Sequence, residues 1–195
     1  MIKVVSLVSF SALVIYSSMR AYSEKNIYTP HYQTLSKYKS IYIREYDKFN
    51  IITTTKSNPY KNATYSGFRT LANYIFGNNV ENEKIPMTSP VITTFPDTKD
   101  IEISFIIDKS FDIDNMPEPN TSDIDFKTID LGRVAVIQFG LWATSDRVTK
   151  MKNKLISYLD ENSIDYSSDF LVAQYNSPWI LPPFRKNEII VSINQ

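Results

Sequence analysis

The chain has 195 residues and a formal net charge of zero, so it fits a single domain and has no overall field to attract nucleic acid. Apolar residues make up 43% and charged residues 22% of the sequence, which is typical of a folded protein rather than a disordered one. Cysteine is absent and histidine occurs once, as His31. Disulfides, thiolate metal sites, cysteine nucleophiles and multi-histidine zinc sites are therefore excluded.

The first 23 residues have the pattern of a secretory signal peptide. A short basic start, "MIK", precedes the uncharged run "VVSLVSFSALVIYSS", and small residues at Ala21 and Ser23 offer a cleavage site before Glu24. The run is shorter than the ~20 apolar residues needed to cross a bilayer. We therefore expect residues 1–23 to be removed and the protein to be exported, to a periplasmic or secreted location. The alternative is an uncleaved membrane anchor, which would be the chain's only link to a membrane.

The folded part begins with strands. Residues 24–38 are polar without a clear period, and we expect them to form an N-terminal arm to a domain spanning 39–195. Two segments rich in Ile, Tyr and Thr, "SIYIREY" (40–46) and "NIITTT" (50–55), predict strands separated by a short turn.

A helix and two more strands complete the first half of the domain. Asn58-Pro59 predicts the start of the helix and Gly77 its end. Its apolar face is formed by Phe68, Leu71, Ala72 and Ile75, which recur at helical spacing. The segments "VITTF" (91–95) and "IEISFII" (101–107) follow as strands, and the second alternates strictly.

A long acidic segment, residues 108–123, separates this half from the next. Asp112 and Asp114 suggest a calcium loop, but the glycine and terminal glutamate of an EF-hand are missing at the required spacing. We therefore interpret the segment as a solvated turn.

The same order of elements then repeats. The second half consists of strands at 124–130 and 133–139, a helix at 145–161, and strands at 170–175 and 187–193. Each half presents one apolar sheet face and one amphipathic helix. The sequence thus predicts an α+β fold, in which a pseudo-twofold repeat of two ββαββ halves forms a distorted antiparallel β-barrel flanked by two helices. A groove between a helix and the sheet would be the natural small-molecule site.

Catalytic patterns are weak. His31 lies in the arm, which disfavours a Ser-His-Asp triad, and Asp123 with Asp125 lies in the acidic segment. Four glycines in the whole chain leave no phosphate-binding loop. We therefore expect a binding protein rather than an enzyme. Trp179, in the proline-stiffened run "PWILPP", either packs on the core or forms the lip of a pocket.

Three separated segments resemble the SOUL haem-binding protein family. The segment "GFRTLANYIFGNNVENEKIPMTSPV" (67–91) is similar to the family's helix end and Met-Thr-x-Pro-Val motif. The segment "YIREY" (42–46) resembles its opening strand, and "AQYNSPWILPPFRKNEIIV" (173–191) its closing segment. The resemblance covers about residues 38–194 and implies the same two-half fold for the domain.

The resemblance also implies a function: binding of haem or a related tetrapyrrole, a small planar hydrophobic ligand, without catalysis. Carried onto this sequence, it places the ligand between the first helix and the closing loop. The residues so implied are Tyr65, Phe68, Arg69 and Ala72 on the helix, and Trp179, Ile180 and Leu181 on the loop. We expect the protein to act as a monomer.

The sequence departs from the family where iron and propionates would be bound. Glu45 stands where some members carry a histidine, and Tyr65 and Asn73 stand where others carry basic residues. Arg69 is the cation that remains on the helix, and His31 would have to fold over the pocket to reach iron. The metal ligand is therefore unassigned. Two alternatives stay open: an envelope interaction module of the same fold without a ligand, and an enzyme acting on tetrapyrroles.

Overall fold

The computed structural model describes Glu24 and residues 27–57, 59–177 and 179–194. The proposed signal peptide and Asn58, the predicted N-cap of the first helix, lie outside the described residues; the helix has Pro59 at its N-cap, where proline was predicted at the first helical position. Nine strands and two α-helices follow one another within the described chain: β1 Tyr32–Tyr38, β2 Ile41–Tyr46, β3 Phe49–Lys56, α1 Tyr60–Ile75, β4 Val91–Thr94, β5 Ile101–Ile106, β6 Asp125–Ile129, β7 Arg133–Phe139, α2 Ser145–Glu161, β8 Tyr166–Gln174 and β9 Asn187–Ile193.

All nine strands belong to one antiparallel sheet in the order β1-β2-β7-β9-β8-β4-β5-β3-β6. If each strand of β2–β5 is exchanged with its counterpart in β6–β9, the order of these eight strands is reversed. This is the symmetry of a pseudo-twofold axis between β8 and β4. The predicted fold class is confirmed. The sheet is strongly curved, but its edge strands β1 and β6 do not pair, so the barrel stays open.

Part of the predicted arm is a strand of this sheet. Residues Tyr32–Tyr38 pair with β2 as β1, and a turn with Lys39 at φ 54° joins the two strands. Only Tyr32 in β1 is partly covered, whereas the other residues of the strand are exposed. Because both faces of this edge strand meet solvent, its sequence lacks the alternation that predicts a strand.

Alternating side chains along each strand pack on opposite faces of the sheet and form separate apolar clusters. In β7, Ala135 and Ile137 join the cluster under α2, while Val134 and Val136 join a cluster on the opposite face. A third cluster lies under α1 and includes Ile101, Ile103 and Phe105 of β5. Each helix therefore covers the sheet of its own half.

Gly67 allows α1 to lie close to the sheet, because a Cβ at this position would lie 2.5 Å from Cδ1 of Ile103.

Local residues define the end of α1 and the start of α2. Gly77, at φ 106°, follows the helix end as predicted. At the start of α2, the Thr144 hydroxyl accepts a hydrogen bond from the Arg147 N–H at 3.4 Å. Neither helix of the described chain is long and apolar enough to cross a membrane.

Candidate functional site

The segment between α1 and β4, residues 84–90, connects three elements. The backbone N–H of Ile85 donates to the carbonyl of the last residue of α1 at 2.8 Å. The buried Thr88 hydroxyl donates to the carbonyl of the last residue of β5 at 2.5 Å. The Ser89 hydroxyl donates to the carbonyl of Tyr175 at 3.1 Å. This crossing segment therefore connects the end of α1, the end of β5 and the start of the closing loop, which we define as residues 175–186.

Polar residues of the family motif also stabilise the end of α1. Asn79 is buried, and its amide donates to the carbonyls of Tyr74 (3.2 Å) and Glu83 (2.8 Å). Its side-chain oxygen accepts from the Glu83 N–H at 2.9 Å. The Tyr74 hydroxyl donates to the Pro117 carbonyl at 2.7 Å, which connects α1 to the acidic segment. These motif residues satisfy backbone groups and specify the fold.

On α1, the four predicted ligand-binding residues differ in exposure. Tyr65 is 66% exposed. The Arg69 guanidinium lies 6.0 Å from the centroid of the Tyr65 ring. Phe68 is half-buried, with its ring 5.2 Å from Phe105. Ala72 is only 8% exposed. Tyr65 and Arg69 therefore form the solvent-exposed part of the predicted ligand-binding surface of α1.

On the closing loop, Trp179 is 72% exposed, Ile180 is 1% exposed and Leu181 is half-buried. Ile180 therefore anchors the loop to the domain, while Trp179 projects from it. Which of the seven predicted residues contact a ligand stays a prediction.

A buried ion pair lies on the sheet face opposite the helices, and the sequence patterns did not predict it. Arg44 on β2 donates through Nη1 and Nη2 to the two carboxylate oxygens of Glu188 on β9, each at 3.0 Å. The two side chains are 3% and 0% exposed. Tyr175 donates its hydroxyl to the same carboxylate at 2.6 Å, and Lys186 Nζ lies 3.2 Å from it. We call these four residues the buried ion cluster.

The cluster keeps its charges at neutral pH. Burial disfavours the ionised Glu188, but hydrogen bonds and charge from Arg44 outweigh it, so the pKa of Glu188 is lowered. Burial, followed by the charge of Glu188, raises the pKa of Tyr175 well above its usual range. The same two causes raise the pKa of Tyr46 to about 12. A fixed, inaccessible ion pair suits stabilisation better than proton transfer.

One signal could have revealed this pair. In "NEIIVSI", Glu188 is in phase with Ile190, which packs in the cluster on the opposite sheet face. A carboxylate in phase with a buried apolar residue predicts a neighbouring cation, because an unpaired buried charge is costly. Arg44 also lies within the "YIREY" motif, so both partners are in segments that resemble the family.

The two residues considered as iron ligands have other partners. Glu45 accepts a hydrogen bond from Arg133 Nε at 3.2 Å, and both side chains are partly exposed. His31 Nδ1 lies 2.8 Å from the Asp47 carboxylate, with both side chains mostly exposed. Across the described ranges, no group of three or more His, Asp or Glu side chains is placed to hold a metal ion.

A groove of about 530 Å³ lies between the two helices. Lys152 of α2 lines it, with Nζ 4.2 Å from the Phe95 ring centroid, 4.7 Å from that of Phe170 and 3.1 Å from Asp97. A second, small cavity of about 10 Å³ is lined by Tyr32 and Tyr175, among others. None of the seven predicted ligand-binding residues lines either space.

Comparison with known proteins extends the sequence resemblance. A family model described as SOUL heme-binding protein matches residues 27–192. Heme-binding protein 1 of Xenopus laevis is 28% identical over 153 residues, which cover 75% of this chain and 80% of that protein.

Solved structures share the architecture at low identity. A hydrolase from Listeria innocua superposes with a TM-score of 0.58 at 6% identity, covering 82% of this chain and 94% of that one. The EcmrR C-terminal domain gives a TM-score of 0.58 at 13% identity, covering 84% and 98% of the two chains. At these identities, the likeness concerns the fold alone.

Proposed function

Because the chain belongs to the SOUL heme-binding protein family, we propose that it is an exported, non-catalytic protein that binds haem or a related tetrapyrrole. The family supports a haem-binding role. We place the ligand in an apolar groove between α1 and the closing loop. The observation that carries this placement is the exposure of two large aromatic side chains, Tyr65 and Trp179, on these two elements.

Both elements contact the crossing segment, α1 through Ile85 and the start of the loop through Ser89. Exposed aromatic rings gain by stacking on a flat apolar macrocycle, which covers their faces without requiring new polar partners. Arg69, next to Tyr65, supplies a cation for a ligand carboxylate. These residues fit the rim and faces of a tetrapyrrole.

The described residues fit iron ligation less well. Glu45 pairs with Arg133, and the His31 ring lies within hydrogen-bonding distance of the Asp47 carboxylate. A carboxylate is also a hard ligand compared with the imidazole or thioether common in haem proteins. We therefore propose that apolar contact, rather than an axial bond, holds the ring. Glu188, whose pKa is lowered by its contacts with Arg44 despite burial, is inaccessible in the buried ion pair, which favours a structural role for this acid over a catalytic one.

The test is a titration of the protein with hemin and with metal-free protoporphyrin, followed by absorbance and tryptophan quenching. The two affinities should agree within about tenfold, because an iron–ligand bond worth more than ~1.4 kcal/mol would separate them further. Trp179→Ala should weaken both equally. His31→Ala should change neither.

Two results would contradict the proposal. A sharp low-spin hemin spectrum that collapses in the His31→Ala variant would make the N-terminal arm a ligand-bearing lid. Failure of both compounds to bind at micromolar concentration would favour the interaction module without a ligand.

A further inference from the structure

The groove between the two helices takes no part in the proposed tetrapyrrole site. Its volume of about 530 Å³ lies in the range of pockets that hold small organic molecules. Pro59 and Tyr60 border it at the start of α1, residues 95–97 border it after β4, and one face of α2 borders it on the other side. We call this space the interhelical groove.

One part of the interhelical groove is aromatic and apolar. Phe95 is only 4% exposed and lines this part together with Tyr60, Pro59 and Pro96. The Tyr60 hydroxyl lies 3.0 Å from the Thr93 hydroxyl, and this hydrogen bond fixes the position of the ring. Fixed ring faces favour a flat aromatic ligand, because two rings in contact gain more than the area they bury.

The other part of the groove is polar and belongs to α2. Ser145, Thr149, Lys152 and Asn153 line it. Their spacing of i, i+4, i+7 and i+8 places them on one side of the helix, beside its buried apolar stripe. Two hydroxyls, an ammonium and an amide therefore border the groove, and all four groups can donate hydrogen bonds.

Lys152 supplies a charge inside the groove. Its side chain is 18% exposed, and Nζ lies 4.2 Å from the Phe95 ring centroid and 4.7 Å from that of Phe170. Nζ donates one hydrogen bond to the Asp97 carboxylate at 3.1 Å. Within the part of the chain that the structure describes, Nζ has no second acceptor, although an ammonium has three N–H donors. Oxygen atoms of a ligand in the groove can accept from the other two.

The charges around the groove favour an anion over a cation. Asp97 is 61% exposed, so water screens its charge more than that of Lys152. Both helices also begin at the groove, with Tyr60 and Ser145 as first residues, and a helix N-terminus carries a partial positive charge. The first turn of α1 contains no acidic residue, and Asp146 in the first turn of α2 is exposed and does not line the groove.

We propose that the interhelical groove binds a small aromatic anion. The ring of the ligand packs against Phe95 and Tyr60, and its carboxylate or sulfonate accepts hydrogen bonds from the Lys152 ammonium. Thr149 and Asn153 supply further donors along the same side of the ligand. This site is separate from the tetrapyrrole site between α1 and the closing loop, and it needs no bound haem.

Two probes with the same rings separate charge from apolar contact. Anilinonaphthalene sulfonate carries one negative charge, and phenylnaphthylamine is its neutral counterpart. Calorimetric titration of the full chain, without haem, measures the affinity for each probe. Lys152→Met should weaken sulfonate binding about tenfold, because a hydrogen-bonded pair with a largely buried ammonium is lost. Binding of the neutral probe should change little, since methionine keeps most of the apolar stem of lysine.

Two further variants locate the site. Asp97→Asn removes the carboxylate that competes for the ammonium and should strengthen sulfonate binding several-fold, a gain that loss of folding cannot produce. Lys154→Met is the matched control, because it removes the same charge from an exposed position of α2 outside the groove. This control should leave binding of both probes unchanged.

Three outcomes would overturn the proposal. Equal weakening of sulfonate binding by Lys152→Met and Lys154→Met would show that the probe responds only to net charge. Weaker sulfonate binding in Asp97→Asn would show that Asp97 does not compete with the ligand. Displacement of the sulfonate by saturating hemin would show that the two sites are one. If hemin itself fails to bind, the variant titrations still decide the question, because they contain no haem.

Discussion

Removal of Arg44 from the buried ion cluster should destabilise the protein more than removal of any exposed ion-pair partner. Arg44→Met leaves the fully buried Glu188 carboxylate with the Tyr175 hydroxyl and the partly exposed Lys186 as its remaining partners. Breaking a buried pair in this way costs ~3–5 kcal/mol, because the carboxylate loses its two-bond partner and keeps only the partly exposed Lys186 as a counter-charge in a medium of low dielectric constant. Denaturant unfolding followed by tryptophan fluorescence measures the loss.

Two further variants separate the pair from its surroundings. Arg133→Met removes the exposed partner of Glu45 and should cost only ~0–1 kcal/mol. The double variant Arg44→Met with Glu188→Leu removes both buried charges and should recover most of the loss, because such replacements are often neutral.

The pH dependence gives a second check with a defined sign. In the native protein the pKa of Glu188 is lowered from its ordinary value of 4.5, so its contribution to stability is present above pH 4.5 and is lost as pH falls through the lowered pKa. Without Arg44, burial dominates and we expect the pKa to rise above 4.5. The deficit of Arg44→Met should then grow as pH rises and shrink in acid.

The reasoning fails if Arg44→Met costs less than ~1 kcal/mol, or if the double variant loses as much as the sum of the single ones. Either result would mean that the two charges are solvated or that packing, rather than charge, dominates the site.

Three other predictions concern the crossing segment, helix packing and processing. Met87 is half-buried against the cluster under α1. Met87→Ala should therefore lower the free energy of unfolding by ~1–2 kcal/mol, less than the ~2–5 kcal/mol expected for a fully buried methionine. An unchanged denaturant midpoint would show that the side chain does not contribute to stability. Gly67→Ala should cost ~1–3 kcal/mol despite the better helix propensity of alanine, because its Cβ would overlap Ile103, and a higher melting temperature would disprove the close approach. Mass spectrometry of exported protein should find Glu24 as the first residue, whereas an intact Met1 would exclude cleavage.

The sequence by itself determined the order of the elements in the two ββαββ halves. The strictly alternating "IEISFII" and the apolar stripe of the second helix predicted β5 and α2 to within a residue or two. These patterns are local, because a side chain's face depends only on the period of its own strand or helix. The motif around Asn79 similarly specified a helix end that the structure builds from nearby hydrogen bonds.

For the candidate site, the sequence supplied residues but not their exposure. Trp179 and Ile180 are neighbours in one loop, yet one projects into solvent and the other is buried. No period applies to an irregular segment, so only the packing of the closing loop against the rest of the domain separates their roles.

Only the tertiary structure decided the features that depend on distant parts of the chain. Strand β1 is exposed on both faces and becomes a strand only by pairing with β2. Arg44 and Glu188 are 144 residues apart and meet because β7 lies between β2 and β9 in the sheet. Periodicity states which face a side chain occupies but not which strand lies beside it. That neighbour is set by the free energy of burying both halves together.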